Sequence, residues 1–172
     1  MTDTVTIRDI EMDDVDWIVA LNNEAVPHVT PIDRPVLVEI LDQACYVKAV
    51  LVGERPAGFL IALWPGRDYD SIHYRWFSEI YEAFLYVDRV AIVEGSTRSG
   101  LGRALYADLE DFARAHGAPR IALEVNSLPP NPRSMAFHER IGFLPVGELE
   151  HDGGDKRVVL MAKPLSETPA AP

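Results

Sequence analysis

The chain has 172 residues, 48% of them hydrophobic and 25% charged, proportions of an ordinary globular protein that exclude wholesale disorder. A net charge of -11, from 27 acidic against 16 basic side chains, argues against a nucleic-acid partner, because neutralising phosphates takes clustered Lys and Arg. The single cysteine, Cys45, excludes an internal disulfide framework and a Cys-based zinc site and suits a reducing compartment.

The length predicts one domain over residues 1–165, at ~100–200 residues per domain, followed by a flexible tail at 166–172 (SETPAAP). No run approaches the ~18 unbroken apolar residues of a membrane span. The N-terminal stretch MTDTVTIRDIEMDD shows no basic region leading into an apolar one. A cytoplasmic protein with no membrane contact is expected.

Alternation over 4–10 predicts a first strand. Asp13 or Asp14 is placed to cap a helix whose apolar face carries Trp17, Ile18, Leu21 and Ala25. A second helix starts near Asp33, with Pro35 in its first turn, and runs to about Gln43. The runs 45–52 and 57–64 form a hairpin across Gly53, Glu54, Arg55 and Pro56.

Between Trp64 and Tyr86 lie 8 of the 15 aromatic residues, in a connection too long to be filler. These rings either cover one end of the core or form a wall of a substrate pocket, with Tyr74 and Trp76 as candidates for contact. A strand follows over about 84–93, then a helix over about 100–116 with Leu101, Ala104, Leu105, Leu109, Phe112 and Ala113 on one face. Gly117 is placed to end that helix. A strand at 120–126, a helix at 132–141 and two strands at 143–150 and 156–163 around HDGGD complete the order. The pattern is α/β or α+β: a mixed, mostly antiparallel central sheet with helices on both faces. The strands before and after the 100–116 helix should pair in parallel.

The strongest chemical signal is VAIVEGSTRSGLGRAL at 90–105, a strand that turns into a helix through Gly100-Leu101-Gly102. Glycines there let backbone approach a ligand, and the unpaired N–H groups of a helix start favour phosphate. Arg98 and Arg103 add positive charge. Leu105 occupies the third glycine of a dinucleotide fingerprint, and no Lys-Ser/Thr pair follows Gly102, so neither the Rossmann nor the P-loop pattern is met. The second signal is NPRSMAFHERIGF at 131–143.

Together, in this order and spacing, the two segments resemble the phosphate-loop motif and the later Asn-x-x-Ala-x-x-x-Tyr-x-x-x-Gly-Phe motif of the GCN5-related N-acetyltransferase superfamily. The resemblance covers roughly residues 4–163. It departs at Thr97, where Arg or Gln is usual, at Ser134, where Ala is usual, and at His138, where a Tyr commonly protonates the leaving thiolate.

The resemblance implies an acyl-CoA N-acyltransferase fold. It also implies acetyl-CoA as donor, no metal, and direct attack by a primary amine of a small molecule or peptide within a ternary complex. By position, Val90, Ala91 and Ile92 would hold the pantetheine arm through backbone bonds. The stretch Arg98, Ser99, Gly100, Leu101, Gly102 and Arg103 would hold the pyrophosphate, and Asn131 would contact the pantetheine or the thioester. His138 stands at the position of the acid. Glu124 matches the glutamate that serves as base in the similar ribosomal-protein N-terminal acetyltransferases.

Helix-one loops usually form the acceptor wall in this family, which makes Asn22, Asn23, Glu24 and His28 acceptor-side candidates. Asn22, Asn23 and Asp33 have an equal reading as caps of helix ends and turns. The family's habits imply a homodimer. Two other functions fit the same motifs: a module that binds CoA or acyl-CoA without turnover, and a transferase of a larger acyl group.

Overall fold

A computed structural model of the chain describes residues 3–96 and 100–165; the tail predicted at 166–172 and the loop residues Thr97, Arg98 and Ser99 lie outside the described residues. In chain order the elements are β1 (Val5–Asp9), α1 (Val15–Glu24), α2 (Arg34–Gln43), β2 (Tyr46–Val52), β3 (Arg55–Leu63), α3 (Ile72–Ile80), β4 (Leu85–Ile92), α4 (Leu101–Ala115), β5 (Arg120–Leu128), α5 (Pro132–Arg140), β6 (Leu144–His151) and β7 (Lys156–Pro164). The strands form one mixed seven-stranded sheet in the order β1-β2-β3-β4-β5-β7-β6. Strands β4 and β5 pair in parallel, Leu85 with Ile121 and Tyr86 with Ala122, as the strand–helix–strand order predicts. No helix among the described residues is long and apolar enough to cross a membrane.

Contacts divide the chain into two units, Met1–Leu63 with Val87–Leu109 and Trp64–Tyr86 with Glu110–Pro172. In the first, β1, β2 and β3 form an antiparallel meander, with the tight turn at Gly53 in the left-handed region at φ 64°. Strand β3 is buried from Ala57 to Leu63, which explains its continuous apolar run in place of alternation. Helix α2 begins as predicted, with Asp33 Oδ1 accepting from the Val36 N–H at 3.0 Å and Pro35 in its first turn.

The start of α1 differs from expectation. Asp14 occupies the capping position with helical backbone and makes no cap bond. Its carboxylate instead accepts from Arg8 Nη1 and Nη2 at 2.7 and 2.9 Å, from the Glu11 N–H at 2.8 Å and from Trp17 Nε1 at 2.8 Å. The paired Arg8 guanidinium and these other donors hold the carboxyl well below the usual carboxylate range, against the opposing effect of burial.

In the second unit, α3 is a helix that the sequence reading treats as an aromatic connection. Ile72, Trp76, Phe77 and Ile80 fall at i, i+4, i+5 and i+8, a helical spacing that the sequence reading passes over, although only Tyr74 and Phe77 of the nine residues are buried. Ser71 Oγ caps it through the Tyr74 N–H. Tyr74, Phe77, Phe84 and Tyr86 pack edge-on or tilted at centroid distances of 5.5–6.2 Å. Gly117, at φ 73°, ends α4 with the Ala118 N–H returning to the Ala113 carbonyl at 2.9 Å. Strand β7 pairs antiparallel with both β5 and β6.

Helix α5 is capped by Asn131, whose Oδ1 accepts from the Ser134 N–H at 3.3 Å. It buries His138 to 4% exposure, packed edge-on against Phe137 and Phe143. Burial lowers His138 to about 4, opposed by its bond to the Ser134 carbonyl.

Two pH windows of stability follow. The His138 imidazole is depressed in the folded state, so the unfolded chain binds the extra proton between about pH 6.5 and pH 4, and stability falls as pH falls through that range. Urea denaturation should show a loss of about 2 kcal/mol between about pH 7.5 and pH 5 from this group, and His138→Leu should flatten that slope. Asp14 contributes stability above the unfolded carboxyl pKa near ~4 and loses it only below. Asp14→Ala, which leaves four donors without their acceptor, should cost about 2 kcal/mol at neutral pH in the same titrations.

Candidate active site

The donor side of the expected site belongs to the first unit. Val90, Ala91 and Ile92 are half-buried at the end of β4. Gly58 on β3 lies flush against them: a Cβ there would stand 2.7 Å from the Ala91 carbonyl oxygen and 2.6 Å from Ile92 Cδ1. The backbone course at Ala91 therefore depends on a glycine opposite it.

Gly100 takes φ 80°, a conformation that L side chains rarely adopt, and places the turn immediately before α4. Leu101 is buried under the helix start, while Gly102 is half-buried and Arg103 exposed, so the first turn presents backbone and one cation outward. Arg98 and Ser99, named with this loop from the sequence, lie outside the described residues.

The acceptor-side candidates of this unit divide. Asn22 is fully buried, and its Nδ2 donates to the Thr30 carbonyl at 3.0 Å and to Asn23 Oδ1 at 3.1 Å. Its Oδ1 accepts from Arg89 Nη1 at 3.1 Å, and Arg89 in turn donates Nε to Asp88 at 2.6 Å. Asn23 exchanges bonds with the Ile32 backbone, Oδ1 accepting at 3.0 Å and Nδ2 donating at 2.9 Å. These two asparagines pin the segment between α1 and α2, a structural role of the kind the capping reading expects. Glu24 and His28 are exposed.

In the second unit, Glu124 stands on β5 between the buried Leu123 and Val125, on the face it shares with Ala122. The parallel register sets Tyr86 beside Ala122, and the Tyr86 hydroxyl donates to both Glu124 oxygens, at 3.0 and 2.9 Å. His73, in the first turn of α3, places Nδ1 3.2 Å from Glu124 Oε1. Its ring packs edge-on against that of His151 at 5.2 Å, and His151 Nδ1 is 3.4 Å from Asp152 Oδ2. The Nε2 atoms of both histidines are buried and meet no hydrogen-bond partner among the described residues. Ionisable groups gathered this closely suit proton transfer. Of these four neighbours sequence reasoning names Glu124 as a candidate and does not bring Tyr86, His73 or His151 to it. The period-2 faces of β4 and β5 are the one signal that could have pointed to Tyr86.

Other expectations are revised. Tyr74 is 3% exposed, and its hydroxyl donates to the Trp64 carbonyl and accepts from the Arg67 N–H, so it closes the core and does not line a pocket. Trp76 lies on Gly147, where a Cβ would come within 2.6 Å of the indole. Asn131 is engaged as the α5 cap. His138, expected as the acid, sits in surroundings that disfavour its protonated form. With Nδ1 2.8 Å from the Ser134 carbonyl, its ring proton points back into its own helix, and burial keeps the ring neutral at ordinary pH. No group of three or more His, Cys, Asp or Glu among the described residues could hold a metal ion.

No curated protein sequence matches the chain. Among solved structures, the Escherichia coli ribosomal-protein-S18-alanine N-acetyltransferase is similar with a TM-score of 0.72 and 19% identity, over 98% of this chain and 99% of that one. Naa20 of Chaetomium thermophilum, solved with a bisubstrate analogue, gives a TM-score of 0.73 at 19% identity over 93% and 86% of the two chains. NAA60 of Arabidopsis thaliana, also with a bisubstrate analogue, gives 0.74 at 15% identity over 96% and 100%. These likenesses are of fold. The model of the acetyltransferase (GNAT) family, however, matches residues 11–143, most of the sequence, and the chain therefore belongs to that family and is an N-acetyltransferase.

Proposed function

We propose that the protein transfers the acetyl group of acetyl-CoA to a primary amine, on a small molecule or a peptide N-terminus, by direct attack in a ternary complex. The observation that carries this reading is the Glu124 centre: a carboxylate on a sheet strand, held by the Tyr86 hydroxyl and faced by His73. An alkylammonium has a pKa of ~10 and cannot attack until it loses a proton, so the acceptor side needs an anionic, proton-accepting centre.

On the donor side, the positive φ at Gly100 and the exposed start of α4 support pyrophosphate binding by Gly100, Leu101, Gly102 and Arg103, with Arg98 and Ser99, which precede them in sequence, as further candidates. Val90, Ala91 and Ile92 would pair their backbone with the pantetheine arm, and the N–H near Ile92 would stabilise the oxyanion. Asn131 can reach a ligand only through groups that its capping role leaves available. Glu24 and His28 are the exposed acceptor-side candidates. The likeness to the ribosomal-protein-S18-alanine N-acetyltransferase favours a peptide among the acceptor classes. The outer strand β6 exposes Leu144 and Val146, which supports a homodimer. The reading is of a cytoplasmic enzyme.

The test is release of CoA from acetyl-CoA against propylamine, spermidine, tyramine, lysine and peptides beginning with Ala or Met, beside a calorimetric titration of CoA. Amine-dependent release is expected. Tight CoA binding with no release across the panel would favour a module without turnover, and release only from a longer acyl-CoA would favour a larger donor. Gly102→Val should weaken CoA binding about tenfold or more by blocking backbone approach at the helix start. Unchanged affinity in the folded variant would overturn the phosphate-loop assignment. Gly58→Ala, which forces the Ala91 carbonyl aside, should weaken CoA binding as well, read in the same titration.

A further inference from the structure

The proton-accepting atom of the Glu124 centre can be located. Both Glu124 oxygens receive the Tyr86 hydroxyl, and Oε1 also faces His73 Nδ1 at 3.2 Å. Two lone pairs do not approach so closely to advantage, so Nδ1 carries the ring proton and donates it to the carboxylate. In the neutral ring the other nitrogen, Nε2, is then a bare lone pair. It is buried and, among the described residues, has no hydrogen-bond partner. A buried acceptor without a donor is costly and uncommon, and it marks a place where a donor from outside the fold belongs.

His151 repeats the arrangement: Nδ1 faces Asp152 Oδ2 at 3.4 Å, which leaves a second buried Nε2 without a donor, on a ring 5.2 Å from that of His73. The spacing is built. Trp76, one helical turn after His73, lies against Gly147, which shares a β6 face with His151, and the missing Cβ at Gly147 lets α3 seat there.

We infer that His73 Nε2 is the base that takes the proton from the acceptor's ammonium, that Glu124 is the positioning residue fixing its tautomer, and that His151 Nε2 is a second acceptor for the same ammonium. This rests on the amine-transfer reading above. In the step, one N–H bond of the ammonium breaks and its proton goes to His73 Nε2, giving an imidazolium stabilised by Glu124. The freed nitrogen lone pair forms the C–N bond to the thioester carbon, and the C–S bond breaks. The departing CoA thiolate takes a proton from water, and the imidazolium and the amide nitrogen each give their surplus proton to water. Glu124 itself stays ionised throughout, as a carboxylate behind a catalytic imidazole does.

The test has one arm that needs no acceptor. Long-range 15N–1H spectra of the uniformly 15N-labelled full chain near neutral pH, assigned with His73→Gln and His151→Gln, report which ring nitrogen is protonated. Protonated Nδ1 and bare Nε2 on His73 are expected, with the tautomer switching in Glu124→Gln and persisting in Glu124→Asp. A protonated Nε2 in the unmodified chain overturns the assignment.

The kinetic arm uses the panel amine turned over fastest. His73→Gln and His73→Asn should lower kcat about 10²–10⁴-fold with the KM for acetyl-CoA unchanged. His151→Gln should chiefly raise the KM for the amine. Turnover of the unmodified chain with full activity in both folded His73 variants overturns this inference and leaves amine transfer standing. Absence of turnover by the unmodified chain with every amine removes the amine-transfer reading, and this inference with it.

Discussion

A carboxylate on a sheet strand flanked by buried apolar residues is stable only when donors meet it, and the second unit is arranged around that requirement at Glu124. The parallel pairing of Tyr86 with Ala122 puts a hydroxyl within 3.0 Å of both oxygens. A slip of one residue in that register would turn Tyr86 to the other face and leave the carboxylate without its donor. The third participant, His73, comes from α3, which is held by the buried Tyr74 and Phe77 and seats its Trp76 on Gly147. The strand register and the helix seat thus serve one charged group.

The first unit handles buried polar groups by the same rule and to a different end. Arg89, Asp88 and Asn22 are all nearly buried in their side chains, and each bonds another member of the group. Through Asn22 the network reaches the Thr30 carbonyl, and Asn23 continues it to Ile32. The segment between α1 and α2 is fixed from beneath by amide side chains, while Glu24 and His28 stay exposed. A polar residue near an expected binding loop is not thereby a binding residue. Its own hydrogen bonds decide.

Much of the fold was legible because its signals are local. Strand alternation, the apolar stripe of α4, Asp33 with Pro35, and Gly117 each report on a stretch of a few residues. The glycines proposed for the donor loop are a local signal of the same kind, since they and the helix they open are contiguous. Helix α3 went unread although Ile72, Trp76, Phe77 and Ile80 keep a helical spacing, because the run of aromatics around them reads equally as a connection. The acceptor-side chemistry was only partly visible. Glu124, Tyr86, His73 and His151 come from β5, β4, α3 and β6, and no sequence spacing relates them; only the assembled sheet does.

The two kinds of histidine show why the site can be without the acid that the family motif suggested. His138 is buried with its ring proton bonded into its own helix, and burial drives it to the neutral form. The demand for an acid is also the weaker one, because a thiol has a pKa of ~8.5 and its thiolate leaves readily, whereas an alkylammonium near ~10 must be deprotonated before any bond can form. Direct attack on a thioester is therefore limited first by the base. His73 differs from His138 in the respect that matters for this: a carboxylate holds the proton on one nitrogen, and the other nitrogen is left facing no donor. An imidazole kept in that tautomer is ready to accept, and the same Glu124 charge that fixes the tautomer stabilises the cation once the proton arrives.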